Sequence, residues 1–263
     1  VLWAWILVSF AVFLIGITKS GLGAGMGLIV VPLTAIGLDH TSMGSSAALG
    51  LLLPLLITGD AMSIGQYRKL VDFKLIRPLL MPTAVGILLG SVLLYIIHGL
   101  EDQKLVATLI RLEIGLESVI LVGIHWYRTS RSENPRLMPE PLRSWISGSF
   151  AGVSTTLAHA AGPVVSLYLL PLKPTRQAFV ASTAVFFGAV NLVKLPAYFG
   201  SGMFQSLDWL MVLIFMPLVI LGAVVGFRLN KRMSDAGFAK FAYAATFAIG
   251  LYLVAESVVR LAR

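Results

Sequence analysis

The sequence predicts an all-α polytopic membrane protein built as an inverted repeat. Each half is expected to hold an interrupted, re-entrant pair of short helices followed by three full transmembrane helices. Three observations predict this class. The 263 residues are 57% hydrophobic and only 12% charged, where a soluble domain carries about 25% charged residues. The apolar runs approach the ~20 residues that cross a bilayer and are too continuous for the alternating strands of a barrel. The basic residues divide between two sets of loops whose sides are opposite in the two halves.

The elements follow in order. Apolar pieces at 1–17 and 28–37 flank "TKSGLGAGMG" (Thr18–Gly27) and form the first interrupted pair. The first piece lacks a basic flank and a small-residue cleavage site, so no cleavable signal is expected. Spans follow at 43–65, 75–98 and 104–127. A polar stretch, "YRTSRSENPRLMPEPLRS", then separates a first repeat (1–127) from a second (145–263) and sets a cytoplasmic linker at 128–144. Pieces at 145–157 and 160–171 flank "STTLAHAAGP" (Ser154–Pro163), the second interrupted pair. Spans at 178–199, 208–229 and 237–259 complete the chain.

The halves resemble each other. Gly25 and Gly162 lie 137 residues apart, and "SSA" (Ser45–Ala47) meets "STA" (Ser182–Ala184) at the same offset. "MPTAVGILLG" (81–90) parallels "MPLVILGAVVG" (216–226) with one insertion. Loops 66–77, 128–144, 172–176 and 228–240 hold fourteen Lys and Arg, against three in loops 38–42, 99–104, 200–208 and the C-terminal tail. The first set is therefore read as cytoplasmic. Loop 66–77 is then inside and its counterpart 200–208 outside, which makes the repeat inverted and places both chain ends outside.

Composition also excludes function classes. The chain has no cysteine, so disulfides and thiolate metal sites are excluded. The pI of 9.9 does not point to nucleic acid, because the basic residues sit in loops between spans. No metal is expected at His159, which has no second histidine or carboxylate cluster near it in sequence. No cofactor is expected, and no catalytic residue is assigned. Ser154 and His159 lie about 140° apart on a helix and share no face, and no nucleophile-elbow motif surrounds a serine.

The chemistry points instead to a small anion. Broken helices at matching positions of an inverted repeat mark the binding site of a secondary transporter. A half-helix starting inside the membrane offers free N–H groups and about half a positive charge, and glycines let an anion approach that backbone. A phosphate loop is excluded because Lys19 precedes the glycines. The expected binding set is Lys19, Ser20, Gly21, Gly23, Gly25 and Ser46 from the first half. The second half adds Thr155, Thr156, His159, Gly162, Thr183, Asn191 and Lys194. The bland alternative for the glycines is tight helix packing. Thr183, Phe187, Asn191 and Lys194 share one helix face. Lys194 lies about 8 Å from the outer helix end, so snorkelling to the interface is its alternative reading. Arg111, Glu113 and Glu117 are charges at membrane depth and are read as coupling residues; Arg111 is shallow enough to snorkel. Glu113 and Glu117 would carry protons or pair with a cation at a homodimer contact. Asp60 is read as an interfacial charge beside the cytoplasmic loop.

At "KSGLGAGMGLIVVP" (19–32), "LAHAAGPVVSLYLLPL" (157–172) and "FFGAVNLVKLPAYF" (186–199), the chain resembles the sulfite exporter TauE/SafE family of membrane transporters. The resemblance implies a bacterial inner-membrane carrier for sulfite, organosulfonates or related sulfur or small carboxylate anions, usually an exporter. The family pattern is often richer in glycine in the second half, where Ala160 and Ala161 here precede Gly162. With the interior negative, a monoanion leaving alone gains about 2.3 kcal/mol per 100 mV, so an exporter could run as a uniporter. A proton-coupled importer and a gated anion channel are the alternatives.

Overall fold

A computed structural model describes residues 2–22, 29–44, 47–98, 103–130, 139–169, 172, 174–205, 207–230 and 235–262. Gly23, Gly25 and Ser46 lie outside the described residues, as does the side chain of Glu117. Helices α1 (Leu2–Ile17), α2 (Val30–Asp39), α3 (Ala47–Tyr67), α4 (Phe73–His98) and α5 (Gln103–Ser130) come first. They are followed by α6 (Leu142–Ala158), α7 (Gly162–Leu169), α8 (Arg176–Gly200), α9 (Trp209–Asn230) and α10 (Asp235–Leu261). No strand occurs among the described residues. Proline occurs inside α3, α4, α8 and α9, as membrane helices allow when neighbouring helices and hydroxyl side chains satisfy the backbone groups it frees.

Among the described residues, five helical stretches are long and apolar enough to cross a membrane: Leu2–Gly21, Ala47–Leu70, Phe73–Ile97, Arg176–Gly200 and Trp209–Asn230. α5 and α10, of 28 and 27 residues, are about 40 Å long and also have the length. The burial pattern is that of a membrane protein. Leu88, Leu89 and Val92 on α4, and Leu210, Leu213 and Ile214 on α9, face outward. Ser20, Asp60, Ser63, Thr183, Asn191 and Lys194 are buried within the bundle.

The first limb differs from its expected length. α1 continues through a π-turn at Thr18–Leu22, so it is long and apolar enough to cross a membrane and is not a short piece. Thr18 Oγ1 donates to Leu14 O and Ile15 O at 2.9 and 3.0 Å, local bonds that accompany the widened turn. The second interruption falls where the sequence places it, between Ala158 and Gly162, while residues 23–28 of the first lie outside the described residues. Both pairs fold back. His40, after α2, stacks edge-on against Trp3 at the start of α1 (4.7 Å). Tyr168 near the end of α7 donates to Glu140 (2.8 Å) and lies under Arg143 of α6 (4.6 Å). α5 runs on to Ser130 and α6 begins at Leu142.

Packing runs along glycine seams. α1 lies against α9 and α4 against α6; α3 pairs with α8, and α5 with α10. Gly16 faces Gly222 across the first seam, Gly86 faces Gly152 across the second and Gly115 faces Gly250 across the last. Missing side chains let the backbones approach, as at other small-residue contacts in membranes.

Arg111 does not snorkel. It is 1% exposed and ion-paired with Asp39 of α2 and Glu256 of α10, while Arg260 reaches the same carboxylates at 3.2 and 2.7 Å. A charge this deep is retained by partners from two other helices, which a single span's sequence does not reveal. Arg111→Met is expected to cost about 3 kcal/mol, since it removes the buried cation from two largely buried carboxylates and leaves them only the more exposed Arg260. Arg260→Met, at a 42% exposed side chain, is expected to cost under about 1 kcal/mol. Melting of the two variants in detergent checks this, and equal losses would contradict it.

Candidate functional site

The π-turn aims Lys19 across the bundle. Its Nζ sits 2.7 Å from Asp60 Oδ1 and 4.6 Å from the centre of the Phe187 ring. Asn191 Nδ2 donates to the other oxygen, Asp60 Oδ2, at 2.7 Å. Asp60 is therefore not an interfacial charge. It is 1% exposed and bridges α1, α3 and α8. Counting residues from the loop put it too shallow, because a helix that begins near the surface carries its next turns inward.

The second break is closed by a histidine. His159 ends α6 in the left-handed conformation (φ 51°), rare for a residue with a Cβ. His159 N–H reaches back to Thr155 O at 3.2 Å and Ala160 N–H to Ser154 O at 3.3 Å, an αL-type helix end without its usual glycine. The ring accounts for the exception. Lys194 Nζ lies 2.9 Å from His159 Nδ1, and His159 Nε2 lies 3.1 Å from Leu49 O. An ammonium can only donate, so Nδ1 accepts, and the imidazole proton sits on Nε2 and is given to the Leu49 carbonyl.

Lys194 also donates to Thr155 O and Thr155 Oγ1 at 2.9 and 3.0 Å, which uses all three of its protons. Tyr198 donates to the next carbonyl, Thr156 O, at 2.6 Å. Both carbonyls lie in the last turn of α6, where Thr155 O also accepts the His159 N–H at 3.2 Å, and a cation there opposes the negative end of the helix dipole. The first break uses the same device with neutral groups: Tyr67 donates to Ser20 O at 2.8 Å and Asn230 to Gly21 O. Lys194 thus neither snorkels, being 0% exposed, nor presents its ammonium to open space. Lys194→Arg is expected to over-pack this site by roughly 1–3 kcal/mol and to release the His159 ring. Melting in detergent would report the first effect. Wild-type melting would return this face to tolerant packing.

Between the two breaks lies a cavity of about 40 Å³. It is walled by Thr18 and Lys19 of the π-turn, Val30 and Val31 of α2's first turn, and Leu52 and Leu56 of α3. Thr155, His159, Ala160 and Gly162 close it from α6 and α7, and Thr183, Phe187 and Asn191 from α8. The α3 and α8 walls come from the middles of those helices, so the cavity sits at mid-depth. No side chain caps the N-terminus of α2.

The sulfite exporter TauE/SafE family model matches residues 8–253. The chain belongs to this family. No curated protein and no solved structure matches it. Membership makes it an integral membrane protein of a transporter family, of the sulfite-exporter type.

Within this TauE/SafE protein, the cavity gathers Lys19, Thr155, His159, Gly162, Thr183 and Asn191 from the expected set, with Lys194 one hydrogen bond behind. Others face elsewhere. Ser20 Oγ pairs with Ser63 Oγ at 2.8 Å, Thr156 Oγ1 donates to Gly152 O at 2.8 Å, and Gly21 packs on Gly226 of α9. Glu113 lines an apolar cleft with Leu112, Phe150 and Leu157, away from this cavity. Among the described residues no group of His, Asp and Glu could hold a metal ion. The sequence reading missed Tyr198, placed Phe187 on the right helix face without including it in the binding set, and gave Asp60 an interfacial role. A lone aspartate inside a span was the available signal for Asp60.

Proposed function

We propose that this protein exports small anions, sulfite, organosulfonates or related sulfur and carboxylate anions, by alternating access around the mid-depth cavity. One observation carries the reading. The first turn of α2 and the start of α7 wall the same cavity as Lys19. Helix N-termini, through free backbone N–H groups, and an ammonium, through its charge, are groups that bind an anion. A space of about 40 Å³ exceeds that of one water-sized probe (~10–15 Å³) and suits a ligand of few atoms.

The inverted repeat belongs to the same proposal. Exchanging the halves turns the α1–α9 seam into the α6–α4 seam, and Gly16 facing Gly222 into Gly152 facing Gly86. Each half also folds its broken pair back on itself. Rocking one half against the other would open the cavity to one side at a time. The cytoplasmic side of loop 66–77, the external side of loop 200–208 and external chain ends are part of this reading. Calorimetry of sulfite, a sulfonate and a carboxylate against purified protein tests the ligand class, and absence of binding by all three would refute it. Single cysteines in the two loops, labelled from each side, test the topology; reaction from one side only would refute the inversion.

A further inference from the structure

Asp60 stands behind the cavity, and the two groups that hold it stand in the cavity wall. Lys19 reaches one of its oxygens at 2.7 Å and Asn191 the other at 2.7 Å. Both donors line the cavity, whereas Asp60 itself does not. An anion entering the cavity therefore meets donors that already hold an internal anion. We propose that Asp60 is the proton-binding group of the transport cycle, giving up Lys19 and Asn191 to the entering anion and taking a proton in exchange. This rests on the anion-carrier reading above.

The charges argue for exchange over sharing. Lys19 from the π-turn is the nearest cation to Asp60, and Lys194 from α8 is the next that acts on it. Lys194 spends its three protons on Thr155 and His159 and cannot turn to replace Lys19. The His159 ring faces Lys194 and Leu49 rather than Asp60. Beside Asp60, the nearest groups to the Cβ direction of Gly59 are Ile15, Lys19 and Val219, and Gly188 of α8 faces Asp60 Cβ. A carboxylate that is 1% exposed and loses its cation is neutralised by a proton rather than left charged. The account balances. The empty site holds Lys19 as ammonium and Asp60 as carboxylate. The loaded site holds the ammonium, the bound anion and a neutral carboxyl, the proton having come from water on the side of entry. Departure of the anion lets Lys19 reclaim Asp60, and the proton leaves on the same side. A monoanion then crosses with no net charge, whereas a uniporter would carry one.

Infrared difference spectra on adding sulfite test this, because a protonated carboxyl has a band distinct from that of a carboxylate and sulfite has neither. Sulfite should produce one new protonated-carboxyl band in the wild-type protein. Asp60→Asn should bind sulfite, by calorimetry, without the band, and Asp60→Glu should shift it. Sulfite binding by wild type with no new band overturns the proposal while leaving the carrier reading intact. A band that persists unshifted in either variant assigns the proton elsewhere and overturns it too. No calorimetric binding by wild type defeats the carrier reading, and this inference with it.

Discussion

Lys19→Met is expected to lower sulfite affinity by roughly 10- to 150-fold, the ~1.5–3 kcal/mol of a lost charge-assisted contact. Its second effect is structural. The ammonium is the ion-pair partner of Asp60, which is 1% exposed, and removing one member of a buried pair costs about 3–5 kcal/mol. The two effects separate in a double variant. Lys19→Met with Asp60→Asn keeps a hydrogen-bonding group for Asn191 and leaves no buried carboxylate without its cation, so melting should return toward wild type. Sulfite affinity should stay low. If the double variant regained both, Lys19 would be a partner for Asp60 and nothing more, and the anion would be held by the helix ends alone.

Gly222→Ala is expected to destabilise the protein by roughly 3 kcal/mol or more, at or beyond the upper end of ordinary over-packing. A Cβ at Gly222 would overlap Phe13 O and stand 3.2 Å from Gly16 Cα. These are backbone atoms, which cannot swing aside as a side-chain tip does, so α1 and α9 must part. The π-turn that carries Lys19 continues from α1, so sulfite affinity should fall with stability. Gly65→Ala in α3 is the control: a Cβ there meets nothing within 4 Å, and alanine's better helix propensity should raise stability by up to about 1 kcal/mol. Melting of both variants in the same detergent decides. A wild-type Gly222→Ala protein would mean that the seam can widen freely.

Much of the site was legible because membranes make polar residues informative. Lys19 beside glycines, and Thr183, Asn191 and Lys194 on one face of α8, stood out against apolar surroundings, and the fold brings them to one cavity or its wall. Asp60 was misplaced for a specific reason. Its depth was measured along α3, and its partners, Lys19 and Asn191, come from other helices, the latter 131 residues away. Arg111 failed in the same way, since Asp39 and Glu256 belong to α2 and α10. Lys194 was placed correctly and given the wrong contacts, because nothing in its own helix says that α6 ends beside it.

The sequence by itself determined the class and the interruptions. Helices of bilayer length follow from long apolar runs, and breaks follow from small and polar residues inside them, both of which are local properties of the chain. Only the tertiary structure decided which charges meet. Pairing of Lys19 with Asp60, capping of α6 by Lys194 and Tyr198, and burial of Arg111 depend on how helices are rotated and crossed. Those angles are set by glycine seams between distant segments, where the absence of side chains fixes how near two backbones come.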